Sequence, residues 1–339
     1  MKALIKCIAV AVFASSSVFA APLVFDRERI GDTTYESASV FDVNRDGTLD
    51  IVSGGVWYEG PTFEVRHKIT EVMRVGDYYD AFSDYPLDVN GDGYLDVITG
   101  GYWGQYLRWN ENPGARGGSW TVHRIAEVGP IERNCFYDID GDGVVEVFPT
   151  TSPVHFFKLN RDENGRGTGT FTQYTIPHGG GGHGFGCGDI NGDSRLDLVF
   201  AGGWLEAPED PFAVDQWKWH PEFDLGGASV PILVFDVNQD GLNDLIVGQA
   251  HDYGLAWYEQ QETENGGRTW IKHPIDDTWS QVHDLQLHDI DNDGELELIT
   301  GKRYRAHNEH DPGSFDPLGV YYYKISKGNF QRFTIDYGP

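Results

Sequence analysis

The sequence contains few sulfur-bearing residues and few basic ones. Three cysteines and two methionines occur among 339 residues, and Lys and Arg number 25 against 53 Asp and Glu. Cys7 lies within the first 20 residues, whereas Cys135 and Cys187 stand three and two positions before an Asp that opens an acidic loop. Alternation along a strand puts these two side chains on opposite faces, which predicts free, buried thiols. The net charge of −28 argues against nucleic acid or an anionic membrane as a partner.

Long apolar runs are missing beyond the N-terminal segment, and helical periodicity is missing with them. Lys2 and Lys6 precede an apolar stretch over residues 8–14, and small residues lead up to Ala20. This pattern predicts a secretory signal peptide over residues 1–20, too short for a membrane span. Residues 21–339 are expected to form one β-propeller domain, secreted or periplasmic, with no membrane span.

The sequence does contain a nine-residue acidic loop, and it contains it six times. Each copy has Asp at position 1, Asn or Asp at 3, Asp at 5 and Asp or Glu at 9, with Gly at position 6 in all copies but the fourth. Oxygen ligands at this spacing suit Ca2+, and the Gly permits the sharp turn. Such clusters also form ordinary turns, but six copies in register favour several structural calcium sites. The expected ligands are Asp42, Asn44, Asp46, Asp50, Asp88, Asn90, Asp92, Asp96, Asp138, Asp140, Asp142, Glu146, Asp189, Asn191, Asp193, Asp197, Asp236, Asn238, Asp240, Asp244, Asp289, Asp291, Asp293 and Glu297.

The spacing of the loops indicates the fold class. Their first Asp residues lie 46, 50, 51, 47 and 53 residues apart. Such a period, with several short strands in each unit, is typical of propeller blades. One apolar strand leads into each loop, a second leaves it, a third carries aromatic residues, and a fourth carries a marker residue, often His. The sequence therefore predicts an all-β propeller of four-stranded blades.

The fourth-strand marker occurs seven times, once more than the loop. The first copy, within residues 25–30, precedes every loop, and the chain ends at Pro339. This strand belongs either to a seventh blade whose inner strands would follow Pro339, or to a six-bladed ring as an extra strand. We favour the first interpretation: six complete calcium-loop blades plus one orphan N-terminal strand, in seven-bladed geometry truncated at the C-terminus. The marker residues are Glu28, His67, His123, Tyr174, Glu222, His273 and Phe333.

His, Arg and Tyr residues gather in the connections on the face opposite the acidic loops. The histidines at the repeated marker position are expected to be structural, whereas those in these connections are either solvated or part of a site. Neutral imidazoles bind divalent metals or act as acid and base, and arginines bind carboxylates or polarise carbonyls. We expect a site at the axial mouth, with a possible second divalent metal. The candidate catalytic residues are His155, His183, His251, Tyr253, His283, Arg303, Tyr304, Arg305 and His307.

Two further features concern the same mouth. Trp57, Trp103 and Trp204 would suit stacking on sugar rings, although aromatic residues at repeated positions more often pack blades together. Residues 301–319 form a long polar insertion with several Gly and Pro residues, and long ordered loops on rigid scaffolds are usually functional.

The acidic loops at this period resemble those of the FG-GAP/VCBS repeat superfamily of calcium-bound propellers. Three segments, at residues 178–183, 280–284 and 301–307, are similar to the propeller domain of the aldos-2-ulose dehydratase family. That resemblance implies elimination of water from keto-sugars such as anhydrofructose. It assigns no individual catalytic residue, and the cupin portion of that family is not part of this sequence.

We therefore expect an exported, calcium-stabilised propeller that eliminates water or a glycosidic leaving group from a sugar, as a carbon–oxygen lyase acting on keto-sugars or uronic glycans. One of His183, His251 and His283 would be base or metal ligand, an arginine would hold the enolate, and a tyrosine would be the acid. The alternatives are a non-catalytic carbohydrate-binding or adhesion propeller and a structural exported module. A tight cluster of these side chains in a pocket would favour chemistry, and scattered histidines would favour binding.

Overall fold

The computed structural model describes residues 22–304 and 306–338, and it has an all-β architecture. Six antiparallel four-stranded sheets follow one another along the chain, each with its strands in sequence order. They form the ring of blades of a six-bladed β-propeller. Helical structure in the described residues comprises the four-residue α1 (Ala306–Glu309) and a 3-10 turn at Gly114–Arg116. No helix in this part of the chain is long and apolar enough to span a membrane.

The strands are short and fall into six groups of four plus one small ribbon. Blade one contains β1 (Ser39–Phe41), β2 (Asp50–Ser53), β3 (Val56–Glu59) and β4 (Val65–Lys68). The ribbon contains β5 (Arg74–Val75) and β6 (Tyr78–Tyr79). Blade two contains β7 (Tyr85–Leu87), β8 (Asp96–Thr99), β9 (Tyr106–Glu111) and β10 (Thr121–Glu127), and blade three contains β11 (Asn134–Tyr137), β12 (Glu146–Pro149), β13 (Val154–Arg161) and β14 (Gly167–Ile176). Blade four contains β15 (Phe185–Gly188), β16 (Asp197–Phe200), β17 (Gly203–Glu206) and β18 (Lys218–His220). Blade five contains β19 (Leu233–Phe235), β20 (Asp244–Gly248), β21 (Tyr253–Glu262) and β22 (Arg268–Ser280), and blade six contains β23 (Val282–His288), β24 (Glu297–Lys302), β25 (Leu318–Ser326) and β26 (Asn329–Gly338).

The acidic loop joins the first and second strands of every blade, and its ninth residue ties it to the sheet. In blade one, the buried Asp50 carboxylate accepts the Val43 N–H at 2.8 Å and the Gly60 N–H at 2.9 Å. The ninth residues of the other loops accept the N–H of loop position 2 in the same way. Because each buried backbone donor is satisfied by this carboxylate, the loop has one defined shape.

The hydrophobic core lies between neighbouring blades. Between blades three and four, Phe148 and Phe156 of one blade pack with Phe185 of the next. Cys135 is buried in this cluster, Cys187 packs against it, and both thiols are free, as predicted. They share one interface because opposite faces of successive blades meet there.

The fourth-strand histidines stack on tryptophans of the third strand. His67 lies over Trp57 at 4.0 Å between ring centroids, and its Nε2 is 2.8 Å from the Glu59 carboxylate. Blades two, four and five repeat this Trp–His–Glu arrangement at His123, His220 and His273. In blade four the marker is therefore His220, and the prediction of Glu222 at this position was wrong by two residues. Trp57 and Trp204 are buried in these stacks, so blade packing is the correct alternative for them.

The predicted orphan strand is not formed, because residues 22–38 contain no strand. This segment contacts blade six mainly through side chains. The Phe25 ring lies 5.9 Å from that of Tyr322, which also accepts the Leu23 N–H at 3.0 Å, and Arg27 pairs with Asp336 at 3.1 Å. The expected seven-bladed geometry is thus replaced by a ring of six blades.

Candidate functional site

The acidic loops lie together at one end of the ring, and their first three ligand positions point into the loop. In loop one, Asp42 accepts the N–H groups of Asp46 and Gly47 at 3.1 and 2.9 Å. The ninth carboxylates are buried close to the other acids of their loops. Burial, with a smaller contribution from neighbouring aspartates, raises the pKa of Asp96 and Asp197 to about 7. A bound divalent cation would relieve this crowding of carboxylates.

The opposite end of each inner strand lines the axis of the ring. The residue six positions before the first Asp of each loop occupies this place. Most of these residues line one cavity of about 530 Å³ on the axis, and His183 lies beside it, 3.4 Å from the Glu132 carboxylate. Around the ring the six positions hold Glu36, Phe82, Glu132, His183, Val230 and His283.

Three histidines converge at the edge of this cavity. Nitrogen atoms of His183, His251 and His283 all lie within 4.8 Å of one another, a spacing that could hold a metal ion. The Nε2 atoms of His183 and His251 face each other at 2.9 Å. Glu132 Oε1 lies 3.4 Å from His183 Nε2 and 3.8 Å from His283 Nε2. Three imidazoles and one carboxylate form a ligand set suited to a divalent transition metal.

Hydrogen bonds determine which imidazole nitrogens carry lone pairs. The Asp311 carboxylate accepts from His251 Nδ1 at 2.9 Å, so His251 Nε2 is unprotonated in the neutral ring. The Arg303 guanidinium can only donate, so His283 Nε2 accepts from its Nη1 at 2.9 Å. His183 Nε2 then donates to His251 Nε2, and a metal ion would replace that shared proton.

The electrostatics of the cluster keep the imidazoles neutral. Burial, reinforced by His251 and Arg303, lowers the pKa of His183 to about 4. Burial and Arg303 also lower the pKa of His283 well below its usual range. The pKa of His251 is lowered by burial, although its hydrogen bond to Asp311 acts in the opposite direction. Neutral imidazole is the form that binds metal.

Two carboxyl groups near this cluster, those of Glu36 and Glu132, have a raised pKa. Burial raises the pKa of Glu36 and of Glu132, and the charge of Arg303 opposes the rise in both cases. Glu36 lies on the axial cavity and also on a second cavity. A carboxyl whose pKa is raised by desolvation is suited to proton transfer nearer neutral pH than an ordinary one.

The second cavity is a cleft of about 790 Å³ between blades one and six. It meets the axial cavity at Glu36 and His283, which line both. Its walls come from the ribbon β5–β6 on one side and from the end of β24 on the other. The side chains that define it include Tyr35, Arg74, Tyr78, Lys302, Arg303 and Tyr304.

The insertion after β24 covers the histidine cluster. The His307 ring stacks on that of His251 at 4.2 Å, and its Nδ1 lies 3.1 Å from Asp311. Asp311 thereby joins His251, His307 and Arg303, whose Nη2 is 3.7 Å from it. Although burial raises the pKa of Asp311, its hydrogen bonds from His251 and His307 lower it overall. The long loop thus orients the site.

The remaining candidates lie outside the cluster. His155 bonds Thr175 at 2.9 Å across β13 and β14. Tyr253 is partly exposed and donates to Asp316 at 2.5 Å, whereas the exposed Tyr304 lines the cleft. Trp103 packs by the ribbon, with its ring centroid 5.6 Å from that of Tyr78. Arg305 lies outside the described residues.

Glu36, Glu132 and Asp311 were missing from the predicted site. Each is a single carboxylate outside the acidic loops, with no motif around it. Aligning the six repeats on their first Asp would have found two of them, because Glu36 and Glu132 occupy the repeat position of His183 and His283.

The fold and loops place this chain among six-bladed β-propellers with acidic repeat loops. Residues 88–148 and 236–300 match the sequence profile of the FG-GAP-like repeat, so the chain contains FG-GAP-like repeats. No curated protein matches it.

Among solved structures, a protein from Lactobacillus plantarum is similar at 13% identity over 87% of this chain and 83% of that one, with a TM-score of 0.49. The V. cholerae biofilm matrix protein Bap1 is 18% identical over 75% of this chain and 38% of its own, with a TM-score of 0.35. The Photorhabdus luminescens Tc holotoxin pore is 15% identical over 87% of this chain and 15% of its own, with a TM-score of 0.37. Likenesses of this size say nothing about a shared activity.

Proposed function

We propose that this protein is an exported carbon–oxygen lyase that eliminates water or a glycosidic leaving group from a keto-sugar or uronic glycan at the axial cluster. The observation that carries the proposal is the convergence of His183, His251 and His283 with Glu132 beside a cleft of about 790 Å³. Such a cleft can accommodate a small sugar, and its tyrosines offer faces on which sugar rings stack.

A divalent transition metal fits the cluster. His183, His251, His283 and Glu132 would hold it, with Asp311 orienting His251 from behind. When bound, the metal would polarise a carbonyl oxygen of the substrate. If His283 held the metal through Nε2, Arg303, which donates to that nitrogen at 2.9 Å, would be released and could bind the substrate.

The reaction needs a base, a group that holds the enolate, and an acid. Glu36 takes the proton from the carbon next to the carbonyl, and the electron pair of that bond moves onto the carbonyl oxygen. Arg303 donates to this oxygen as its charge develops. As the enolate collapses, the bond to the β-oxygen breaks, and that oxygen leaves with a proton from Tyr304, which lines the same cleft.

Calcium is the second proposed cofactor, with a structural role. Its ligands are the acidic loops at the other end of the ring, whose backbone turns already direct carboxylates inward. Ion binding there stabilises the ring without contacting the axial cluster.

The test is turnover by the Ca2+-loaded protein supplemented with Zn2+ or Mn2+ on a panel of keto-sugars and uronic glycans. The readout is the ultraviolet absorbance of the unsaturated product. We expect activity that is lost in His283→Ala and retained in His155→Ala, because His155 lies apart from the cluster. Full activity of His283→Ala would place the reaction elsewhere. Ligand binding without product in every metal-loaded sample would instead support a non-catalytic carbohydrate-binding propeller.

A further inference from the structure

In loops three and six a lysine ammonium group lies against three carboxylates, whereas the cation at loop four, Arg195, contacts only one, that of Asp193. Lys158 reaches into loop three, where its Nζ lies 2.6 Å from Asp140, 2.8 Å from Asp142 and 3.0 Å from Glu146. These are loop positions 3, 5 and 9, three of the four side-chain positions expected to bind calcium. The ammonium group therefore occupies the place of the ion.

Loop six repeats the arrangement with a different lysine. Lys324 Nζ lies 2.5 Å from Asp291, 3.2 Å from Asp293 and 3.5 Å from Glu297, again positions 3, 5 and 9. Lys324 pairs directly with Glu297 in the sheet register. Two independent blades thus give the same geometry.

The lysines are accompanied by linked changes in each blade. Lys158 and Lys324 stand two residues after the stacking aromatic of the third strand, where the other blades have Glu59, Glu111, Glu206 and Glu259. Those glutamates bind the fourth-strand histidines. In blades three and six the stack consists of two aromatic rings instead, Phe156 on Tyr174 and Tyr322 on Phe333.

The loops themselves change together with the lysines. Loops three and six have Asp at position 3 and Glu at position 9, whereas the other four have Asn and Asp. The extra carboxylate balances the ammonium charge, and the longer Glu side chain extends to meet it. In loop one, by contrast, the Asn44 amide donates to Asp46 at 3.1 Å, and His67 engages Glu59 outside the loop.

We propose that Lys158 and Lys324 replace the calcium ion in loops three and six, so that the ring binds four calcium ions, in loops one, two, four and five. This assignment rests on the calcium binding proposed above. It follows because one set of carboxylate oxygens cannot coordinate a divalent cation and an ammonium group at once. The two lysine-filled blades then keep their loop structure when calcium is removed.

The test is the calcium content of the full-length protein, measured by mass spectrometry after equilibration with Ca2+ and removal of loosely bound ions. We expect four ions per chain in the wild type and six in the Lys158→Met, Lys324→Met double variant. The four carboxylates of each loop then lose the ammonium group, and Arg161, which pairs only with Asp142 in loop three, leaves positions 1, 3 and 9 open. The matched control is Lys218→Met, whose ammonium pairs on the surface with Glu206 outside any loop.

Thermal unfolding in excess chelator provides the second measurement. Chelator should lower the melting temperature of the double variant more than that of the wild type, because the carboxylates of loops three and six then repel each other without a cation between them. Six ions in the wild type would overturn the assignment while leaving the proposed calcium role intact. No bound calcium in any variant would overturn both, and unchanged calcium content and chelator sensitivity in the double variant would overturn the role of the lysines.

Discussion

Arg133 of blade three and Asp284 of blade six are joined across the axis of the ring. Arg133 Nη1 lies 2.5 Å from Asp284 Oδ1 and also donates to the Val230 carbonyl of blade five at 3.0 Å. One guanidinium thus links three blades directly beside the cluster of Glu132 and His283. Both residues line the axial cavity, and we call this ion pair the strut.

The first prediction concerns this strut. Asp284→Asn should lower the free energy of unfolding by about 1.5–3 kcal/mol, because a partly buried guanidinium loses its charged acceptor. Urea denaturation of the calcium-loaded protein measures the change. The control is Asp336→Asn, which removes the exposed partner of Arg27 and should cost less than about 1 kcal/mol. Equal costs for the two variants would mean that the strut is no stronger than a surface pair.

The second prediction concerns the group behind the metal ligands. Asp311→Asn should weaken binding of Zn2+ at the axial cluster by about 10–100-fold, because His251 loses the carboxylate that fixes its tautomer. Competition with a chromophoric chelator gives the affinity. Asp316→Asn, which removes only the partner of Tyr253, should leave the affinity unchanged. An unaltered affinity in Asp311→Asn would exclude His251 from the metal site.

The third prediction concerns calcium and the residue at loop position 6. Chelation should lower the melting temperature, because calcium binds the native state alone and the freed carboxylates repel. Loop four should lose its ion first, since Ser194 adopts φ 69° where the other loops have Gly. Ser194→Gly should raise the calcium affinity of that loop, measured by titration calorimetry. An unchanged melting curve in excess chelator would contradict the structural role of calcium.

The fourth prediction concerns the pH dependence of stability at Asp84. Burial raises the pKa of this carboxyl from 3.8 to about 6, despite hydrogen bonds from the Gly54 N–H and the Ser37 hydroxyl. The folded state therefore holds the Asp84 proton more tightly than the unfolded state does. The stabilisation that comes from proton binding by Asp84 is fully present below about pH 4 and is lost as pH rises through about 6. The loss corresponds to about 3 kcal/mol in the free energy of unfolding.

Asp84→Asn removes this ionisation, so the variant should gain stability relative to the wild type between pH 4 and pH 8. Denaturant unfolding at both pH values measures the difference. In Ser37→Ala the Asp84 carboxylate loses one hydrogen-bond donor, so the pKa of Asp84 should rise further. The loss of stability should then continue to higher pH than in the wild type. A constant difference between Asp84→Asn and wild type across this range would contradict the raised pKa.

The fifth prediction concerns the repeated stacks. His123→Ala should lower the free energy of unfolding by about 1–2 kcal/mol, since it removes a ring stacked on Trp109 at 4.3 Å and the hydrogen bond to Glu111. Axial metal affinity and calcium content should not change, because His123 touches neither set of ligands. Calorimetric melting and metal analysis on the same sample test both parts. Loss of axial metal binding in this variant would contradict a purely structural role.

Much of the fold could be predicted because its signals are local and repeated. Each acidic loop contains its own turn, its own carboxylates and its own flanking strands, so each blade can be predicted from its own segment of the sequence. The expected seven-bladed geometry was wrong, because residues 25–30 resemble a strand in sequence but form none, and Phe25 packs its ring on Tyr322 instead. Nothing local in the sequence distinguishes a strand from an extended segment that packs through its side chains without pairing in a sheet.

The candidate site was predictable where residue type alone is informative. His183, His251, His283 and Arg303 were expected to share the axial mouth, and the structure brings them together. Glu36 and Glu132 were not predicted, because neither residue type stands out alone and only an alignment of the six repeats shows that they share the position of His183 and His283. Lys158 and Lys324 were overlooked for a similar reason: each reaches its loop from another strand, and only the folded register brings them into contact.

The order of the blade types has a consequence for the origin of the site. Blades one and two have Trp–His stacks and blade three has an aromatic stack with lysine, and blades four, five and six repeat that order. This is the pattern of two half-rings of three blades each. At the axis, the first half-ring presents Glu, Phe and Glu, and the second presents His, Val and His at the equivalent positions. Acid therefore faces imidazole across a pseudo-twofold axis, and neither half-ring alone contains both kinds of ligand. If the chain arose by doubling of a three-blade ancestor, its chemistry came from the divergence of two once-identical halves.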